Sequence, residues 1–161
     1  MTYDAINPPE LGRPSGWTNG MLAPAGGRIL FVAGQDAAEP GGGVTTNDFV
    51  EQFRIALNKA VMVVRAAGGG AEDIGRLTIF VGDMDCYRAS LQELGSVYRS
   101  VMGRHYPAMA LVEVNRLVDR RAMVEIEATA VLPPTTAEPP PTGEADPAQG
   151  TRAGAQPKED A

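Results

Sequence analysis

Hydrophobic residues between positions 17 and 132 recur with the periods of strands and helices. Runs rich in β-branched and aromatic residues, bounded by glycine or proline, predict strands. These runs are Trp17–Leu22, Arg28–Ala33, Arg76–Val81, Ala108–Val114 and Ala122–Leu132. Apolar and polar residues alternate in the last run, which places Glu125 and Glu127 on the strand face opposite its apolar side chains.

Two longer segments carry apolar residues at helical spacing. The first begins at Thr45, where Thr45-x-x-Asp48 resembles a capping box, and it ends at the glycines of positions 68–70. The second begins near Asp85, a residue type that caps helix N-termini, and it ends at Gly103. Both segments are amphipathic, so each needs an apolar surface to cover.

The element order is therefore β-β-α-β-α-β-β, and the Pro- and Gly-rich turn at 24–27 predicts a hairpin between the first two strands. The predicted fold class is α+β: a mixed sheet with two helices on one face. The other sheet face needs cover wherever Met109, Leu111 or Met123 points toward it, which favours self-association.

Composition divides the chain into a central domain and two flanking segments. Residues 1–15 contain Pro8 and Pro9 and predict an irregular N-terminal lead-in, and residues 16–132 form the domain. Every Ile, Leu, Val, Met, Phe, Tyr and Trp lies at or before Leu132. Residues 133–161 are rich in proline, alanine and acidic residues, so a disordered tail is predicted there, with a possible partner left open.

Charge and residue counts exclude several function classes. A net charge of −6 argues against nucleic-acid binding, which needs a positive footprint for phosphates. No apolar run approaches the ~20 residues that span a bilayer, and the N-terminus lacks a signal pattern, so we expect a cytoplasmic protein that does not bind membranes. A single cysteine, Cys86, and a single histidine, His105, argue against a disulfide framework and a metal site.

The order and spacing of short motifs over some hundred residues resemble the RidA (YjgF, reactive intermediate deaminase) family, which has a chorismate-mutase-like fold. Each motif is weak alone, but all occur in the family's order. The matching segments are RILFVAGQ (28–35), FxxQ with ALN (49–58), AG followed by DI and LTIFVGDM (67–84), PA followed by VEV and L (107–117), and VEIEA (124–128).

The resemblance implies a homotrimer with small-molecule clefts between subunits. Many family members hydrolyse enamines and imines to 2-oxo acids and ammonia, without a metal or a cofactor. An arginine of the family motif "PAR" holds the substrate carboxylate as a bidentate pair, which suits a planar guanidinium. A glutamate of the VEIEA strand lies near the attacking water.

This chain departs from that pattern at several implied substrate-binding positions. Met109 stands at the arginine position, and a thioether cannot pair with a carboxylate. Ala33 replaces the family serine, Trp17 takes the place of an aromatic residue near the cleft mouth, and Gln92 takes the place of an asparagine on the second helix.

Other parts of the implied site are retained. The Gly34-Gln35 turn and the catalytic candidate Glu125 match the family, and Leu111 adds an apolar residue to the cleft. Glu125 is interpreted as a general base or water-positioning group, with a solvated or interface-paired carboxylate as the alternative. Four arginines flank the region and offer a replacement cation or a charged rim: Arg104, Arg116, Arg120 and Arg121.

Two functional hypotheses follow from the Met109 substitution. The first is a divergent, cofactor-free hydrolase that acts on an imine, an enamine or another uncharged small metabolite, and not a standard 2-iminopropanoate deaminase. The second is a non-catalytic ligand-binding or assembly trimer in which Met109 fills an interface gap. A nuclease, an activity also attached to the family name, is disfavoured by the acidic charge and the scarcity of histidine.

Overall fold

A four-stranded mixed sheet forms the centre of the fold. In the computed structural model, which describes residues 3–134, the strand order is β3-β6-β4-β5. The strands are β3 (Arg28–Gln35), β4 (Ile74–Val81), β5 (Ala108–Glu113) and β6 (Val124–Leu132). β6 runs antiparallel to both β3 and β4, whereas β5 runs parallel to β4. A parallel pair needs a crossover connection, and the helices that follow β4 provide it.

Helices cover one face of this sheet. α1 (Phe49–Ala66) contacts β3 and β6, and α3 (Leu91–Met102) packs against α1, while the short α2 (Met84–Ala89) joins β4 to α3. The predicted α+β class, with a mixed sheet covered by helices, is confirmed. The alternation predicted for β6 is also confirmed, since its even-numbered residues from Val124 to Leu132 are buried in the core.

The buried Gln52 on α1 fixes the start of β6. Its side-chain Nε2 donates to the carbonyl oxygens of Thr46 at 2.8 Å and Arg121 at 3.0 Å. Its Oε1 accepts from the backbone N–H of Met123 at 2.8 Å. Because two of these bonds satisfy backbone groups of Arg121 and Met123, directly before Val124, they help to fix the strand that carries Glu125.

The N-terminal part of the chain differs from its prediction. The predicted hairpin between the first two strands is wrong, because β2 (Gly20–Leu22) pairs antiparallel with β1 (Asp4–Ile6) and β3 pairs with β6. The lead-in that was predicted to be irregular therefore contains a strand. Tyr3 anchors it, since its hydroxyl donates to the Asp73 carbonyl at 2.7 Å and accepts from the Val131 N–H at 2.9 Å.

Both predicted helix starts shift by a few residues. α1 begins after Asp48 instead of Thr45, because the Asp48 carboxylate accepts from the N–H groups of two first-turn residues. The second helical segment begins after Asp83 instead of Asp85, since Asp83 accepts from the Cys86 N–H at 2.9 Å. It is also divided at Ser90 into α2 and α3.

The outer face of the sheet, opposite the helices, carries exposed apolar residues. The sequence left open whether Met109, Leu111 or Met123 points there, and all three are partly buried against the core. Met109 and Leu111 share their register with buried residues of β4. The exposed residues are instead Phe31, 79% exposed, together with Ile29 and Val112.

Two other predictions concern the ends of the chain and its environment. The predicted tail lies outside the described residues, apart from Pro133 and Pro134. Among the helices of residues 3–134, none is long and apolar enough to cross a membrane.

Candidate functional site

A cavity of about 480 Å³ opens beside Met109. It lies between α3, β5 and the segment that carries Trp17, and its volume falls within the range of small-molecule sites. Most of its lining is apolar or aromatic. The lining residues used below are Trp17, Tyr87, Leu91, Gly95, Tyr98, Arg99, Tyr106 and Met109.

Backbone contacts at Thr18 hold Trp17 at this cavity. The Thr18 N–H donates to the Pro107 carbonyl at 3.1 Å, and its hydroxyl donates to the Tyr106 carbonyl at 2.6 Å. Thr18 also forms a parallel bridge with Ala108, next to Met109. Trp17, 47% exposed, therefore lines this cavity, and its predicted contact with a ligand stays a prediction.

Two stacked tyrosines form one wall. The rings of Tyr98 and Tyr106 lie 5.2 Å apart and nearly parallel, and the Tyr98 hydroxyl donates to the His105 carbonyl at 2.8 Å. Burial raises the pKa of the Tyr98 phenol, and the neighbouring Tyr106 adds to the shift. Burial also raises the pKa of Tyr87. Tyr98 and Tyr87 therefore present ring faces and neutral hydroxyls at neutral pH.

α3 turns the face that carries Leu91 toward this cavity. Leu91, Gly95 and Arg99 follow one another at helical spacing and line the cavity. Gln92, the predicted equivalent of the family asparagine, is exposed and is not among the lining residues. Leu111 is half-buried against the core and also lies outside the lining.

A second cluster lies where β3 bends at Ala33 and Gly34. The pairing of β3 with β6 shifts between Val32 and Gln35, and the Gln35 amide donates to the Ala33 carbonyl at 3.2 Å. The Glu125 carboxylate lies over Gly34: a Cβ atom built on this glycine would stand 1.8 Å from Glu125 Oε1. The carboxylate thus occupies the space that a side chain at position 34 would fill.

The Glu125 carboxylate is available to a ligand. Within residues 3–134 it has no hydrogen bond and no ion pair, although neighbouring carboxylates such as Asp119 accept backbone N–H groups. It is half-buried on the outer face of the sheet. A carboxylate in this state can accept a proton from a water molecule held beside it.

The two clusters lie at opposite edges of the sheet. Met109 is on the edge strand β5, whereas Gly34 is on the other edge strand, β3, with Glu125 on its neighbour β6. Three strand spacings separate β3 from β5, or about 14 Å. The clusters also face different sides, since Met109 points to the helices and Glu125 points away from them. A single chain therefore forms each half of the predicted site, but the two halves do not meet within it.

None of the four arginines named from the sequence stands beside Met109. Arg104 lines an adjoining cavity of about 880 Å³ under the N-terminal segment, together with His105. Arg116 and Arg120 line a third cavity, of about 450 Å³, at the start of β6. Arg121 donates to the Thr45 carbonyl and the Asn47 side chain, which are structural contacts.

The arginine that does line the Met109 cavity is Arg99, which the sequence analysis missed. Its spacing of eight residues from Leu91 was the available signal, because positions i, i+4 and i+8 share a helix face. A metal site finds no support in the described part of the chain, where no group of three His, Cys, Asp or Glu residues lies within ligating reach.

Comparison with known proteins gives a consistent set of relatives. Residues 17–132 match the family model described as endoribonuclease L-PSP. The 2-iminobutanoate/2-iminopropanoate deaminase of Salmonella typhimurium is 32% identical over 108 residues, which are 65% of this chain and 80% of that protein. A RutC family protein of Pyrococcus horikoshii is 32% identical over 105 residues, which are 65% of this chain and 79% of that protein.

Solved structures agree with the sequence matches. The Rid family protein YyfB of Yersinia pestis superimposes with a TM-score of 0.71 at 29% identity and covers 82% of this chain and 100% of that one. Escherichia coli TdcF, solved with bound serine, superimposes with a TM-score of 0.56 at 28% identity and covers 82% and 94% of the two chains.

Proposed function

Because the chain belongs to the endoribonuclease L-PSP family, which includes the RidA/YjgF reactive intermediate deaminases, we propose that it is a divergent small-molecule hydrolase of this family. Its substrate is an imine, an enamine or another small metabolite whose reacting end is uncharged. The observation that carries the proposal is the Glu125 carboxylate held over Gly34, which has no hydrogen bond or ion pair among residues 3–134.

The two half-sites support a cleft between subunits. The Met109 cavity lies at the β5 edge of the sheet, and the Glu125 carboxylate lies over Gly34 of the other edge strand, β3, so a head-to-tail contact between copies would bring the two together. The exposed Phe31 and Ile29 give the outer face around Glu125 an apolar surface for that contact. A homotrimer closes such contacts into a ring, with three equivalent clefts.

Glu125 supplies the proton transfers of the proposed reaction. It takes a proton from a bound water, whose oxygen adds to the carbon of the C=N bond while the nitrogen gains a proton. The carbinolamine then expels ammonia, the carbon–nitrogen bond breaks, and a carbonyl group remains. Neither oxidant nor reductant is required, because water is added and ammonia is released.

The cytoplasmic location expected from the sequence stays a prediction.

Met109 sets this protein apart from the deaminases that act on 2-imino acids. Its thioether offers no donor for a carboxylate next to the imine, and the surrounding Trp17 and Leu91 are apolar. A 2-imino acid would therefore bury its charge at this position without compensation. We expect 2-iminopropanoate to be hydrolysed at the background rate.

The test compares two imines with wild type and Glu125→Gln. A flavin-dependent amine oxidase acting on benzylamine supplies a neutral imine, and an amino-acid oxidase supplies a 2-imino acid. The initial rate of semicarbazone formation measures the imine that remains, because semicarbazide condenses more slowly with the carbonyl product. Wild type should reduce trapping of the neutral imine only, and Glu125→Gln should not. If wild type accelerates 2-imino acid hydrolysis strongly, the interpretation of Met109 is wrong.

The alternative is a non-catalytic ligand-binding or assembly trimer, favoured by the same loss of the family arginine at Met109. It predicts that a compound from a thermal-shift screen stabilises wild type and Glu125→Gln equally and is recovered unchanged after long incubation. Turnover that disappears in Glu125→Gln would exclude it.

A further inference from the structure

We propose that Arg99 determines specificity in the Met109 cavity by binding an acidic group of the ligand from α3. The cation absent from β5 is then present on the opposite wall of the same cavity. This inference rests on the proposed function for the identification of the cavity as the ligand cleft. It names the ligand class: an acid whose carboxylate is separated from its reacting end by an apolar spacer.

Gly95 makes room for the Arg99 guanidinium. A Cβ atom built on Gly95 would lie 3.3 Å from Arg99 Nη1, so the guanidinium folds back over the preceding turn of the helix. Glycine inside a helix lowers helix stability, so its presence in the middle of α3 needs a local reason. Both residues line the cavity. The local reason for glycine at position 95 is therefore the space that the guanidinium needs.

The donors of Arg99 remain open to a ligand. Its one hydrogen bond in the described part of the chain runs from Nη2 to Ser96 Oγ at 3.4 Å, near the limit for such a bond. Two other exposed helix arginines, Arg54 and Arg88, form ion pairs with carboxylates three residues away. Arg99 has no such pair among residues 3–134, so its planar fork can bind a carboxylate with two parallel bonds.

Because of its position, Arg99 favours an acid whose carboxylate lies farther from the reacting carbon than the carboxylate of a 2-imino acid does. In a 2-imino acid the carboxylate is bonded to the reacting carbon, which would hold that carbon against α3. In the head-to-tail contact proposed above, Glu125 of a neighbouring copy would approach from the β5 edge, where Met109 lies. A ligand that reaches both groups needs an apolar spacer, and Met109, Leu91 and Trp17 provide the surface along which this spacer packs.

The test measures binding of a matched acid and amide to the full chain. The probes are 3-phenylpropanoate and 3-phenylpropanamide, which share an apolar spacer and differ in charge. Titration calorimetry on wild type should give about tenfold tighter binding of the acid, the scale of one charge-assisted contact at an exposed site. Arg99→Gln should bind both probes equally, and Arg99→Lys should keep part of the preference.

Arg104→Gln is the matched control, because Arg104 is an exposed arginine just beyond the C-terminus of the same helix that lines the adjoining cavity but not the Met109 cavity. It should keep the full preference for the acid. Equal affinity of wild type for the two probes, no binding of the acid, or a preference that survives in Arg99→Gln would each overturn the proposal. The readout is equilibrium binding, so a failure of Glu125-dependent hydrolysis would refute the proposed function without changing the ratio of acid to amide.

Discussion

Replacing Gly34 by alanine tests the contact that defines the proposed catalytic carboxylate. The new Cβ atom would stand 1.8 Å from Glu125 Oε1, 2.7 Å from its Cδ and 3.0 Å from its Cγ. Carbon and oxygen atoms in contact keep a separation of about 3.5 Å, so Oε1 must retreat by roughly 1.7 Å. The carboxylate must therefore leave its position over the bend of β3.

We expect Gly34→Ala to lower the activity without lowering the stability of the fold. The clashing atoms belong to the free end of a half-buried side chain, which can rotate away, and Gly34 is not among the glycines with positive φ. Alanine also restricts the unfolded chain, a gain of about 0.4–1 kcal/mol. A displacement of more than 1 Å at a catalytic group lowers a rate by about 100-fold. We therefore predict about 100-fold slower hydrolysis with a free energy of unfolding within about 1 kcal/mol of wild type.

The assay is neutral-imine hydrolysis, with thermal unfolding measured on the same samples. Gly82→Ala is the matched control, because its new Cβ atom would meet the Met123 carbonyl oxygen at 3.8 Å, an ordinary contact. The double variant Gly34→Ala/Glu125→Gln should be no slower than Glu125→Gln alone, since both changes act on one group. A fully active Gly34→Ala variant would refute the role given to this carboxylate.

Three further predictions concern stability and assembly. Gln52→Leu leaves the Met123 N–H and two carbonyl groups unsatisfied, so the free energy of unfolding in urea should fall by about 3 kcal/mol; a loss below 1 kcal/mol would show that water replaces the amide. Backbone N–H groups of Arg121 and Val44 lower the pKa of Asp119, so its contribution to stability is present above pH 3.8 and lost as the pH falls through the lowered pKa. The melting temperatures of wild type and Asp119→Asn should therefore differ at pH 7 and converge in acid; a constant difference would contradict this sign. Phe31→Asp places a charge on the exposed outer face, and light scattering should show a particle three times the 16.9 kDa chain mass for wild type only; a wild-type mass of 16.9 kDa would exclude the trimer.

The sheet and the helices could be predicted because their signals are local. The alternation along β6 and the helical spacing in α1 record which side chains are buried, and burial imposes the period directly. The partner of β2 could not be predicted in this way. A Gly-rich turn makes a hairpin with β3 possible, but β3 pairs with β6, a hundred residues later, because that pairing places Val32 in the core.

The candidate site was predicted in its residue types but not in its geometry. Glu125 and Gly34 were recognised as separate motif residues, whereas their contact depends on a missing Cβ atom and on a bend in β3. Gln92 was placed in the cleft by counting residues along the chain. The rotation of α3 about its axis brings Leu91 and Arg99 to the cavity instead, and this rotation is set by how α3 packs on α1.

An active site between subunits, as proposed above, would make activity a property of the assembly, and mixing two inactive variants tests this. Glu125→Gln removes one half, and Gly95→Leu fills the cavity that forms the other half. If equal amounts are dissociated and reassembled together, a cleft is intact when Glu125 comes from a Gly95→Leu chain and the open cavity comes from a Glu125→Gln chain. Chance association in a ring makes about one cleft in four intact, so about a quarter of wild-type activity should return. A site contained within one chain would recover nothing, because each variant lacks one of its parts.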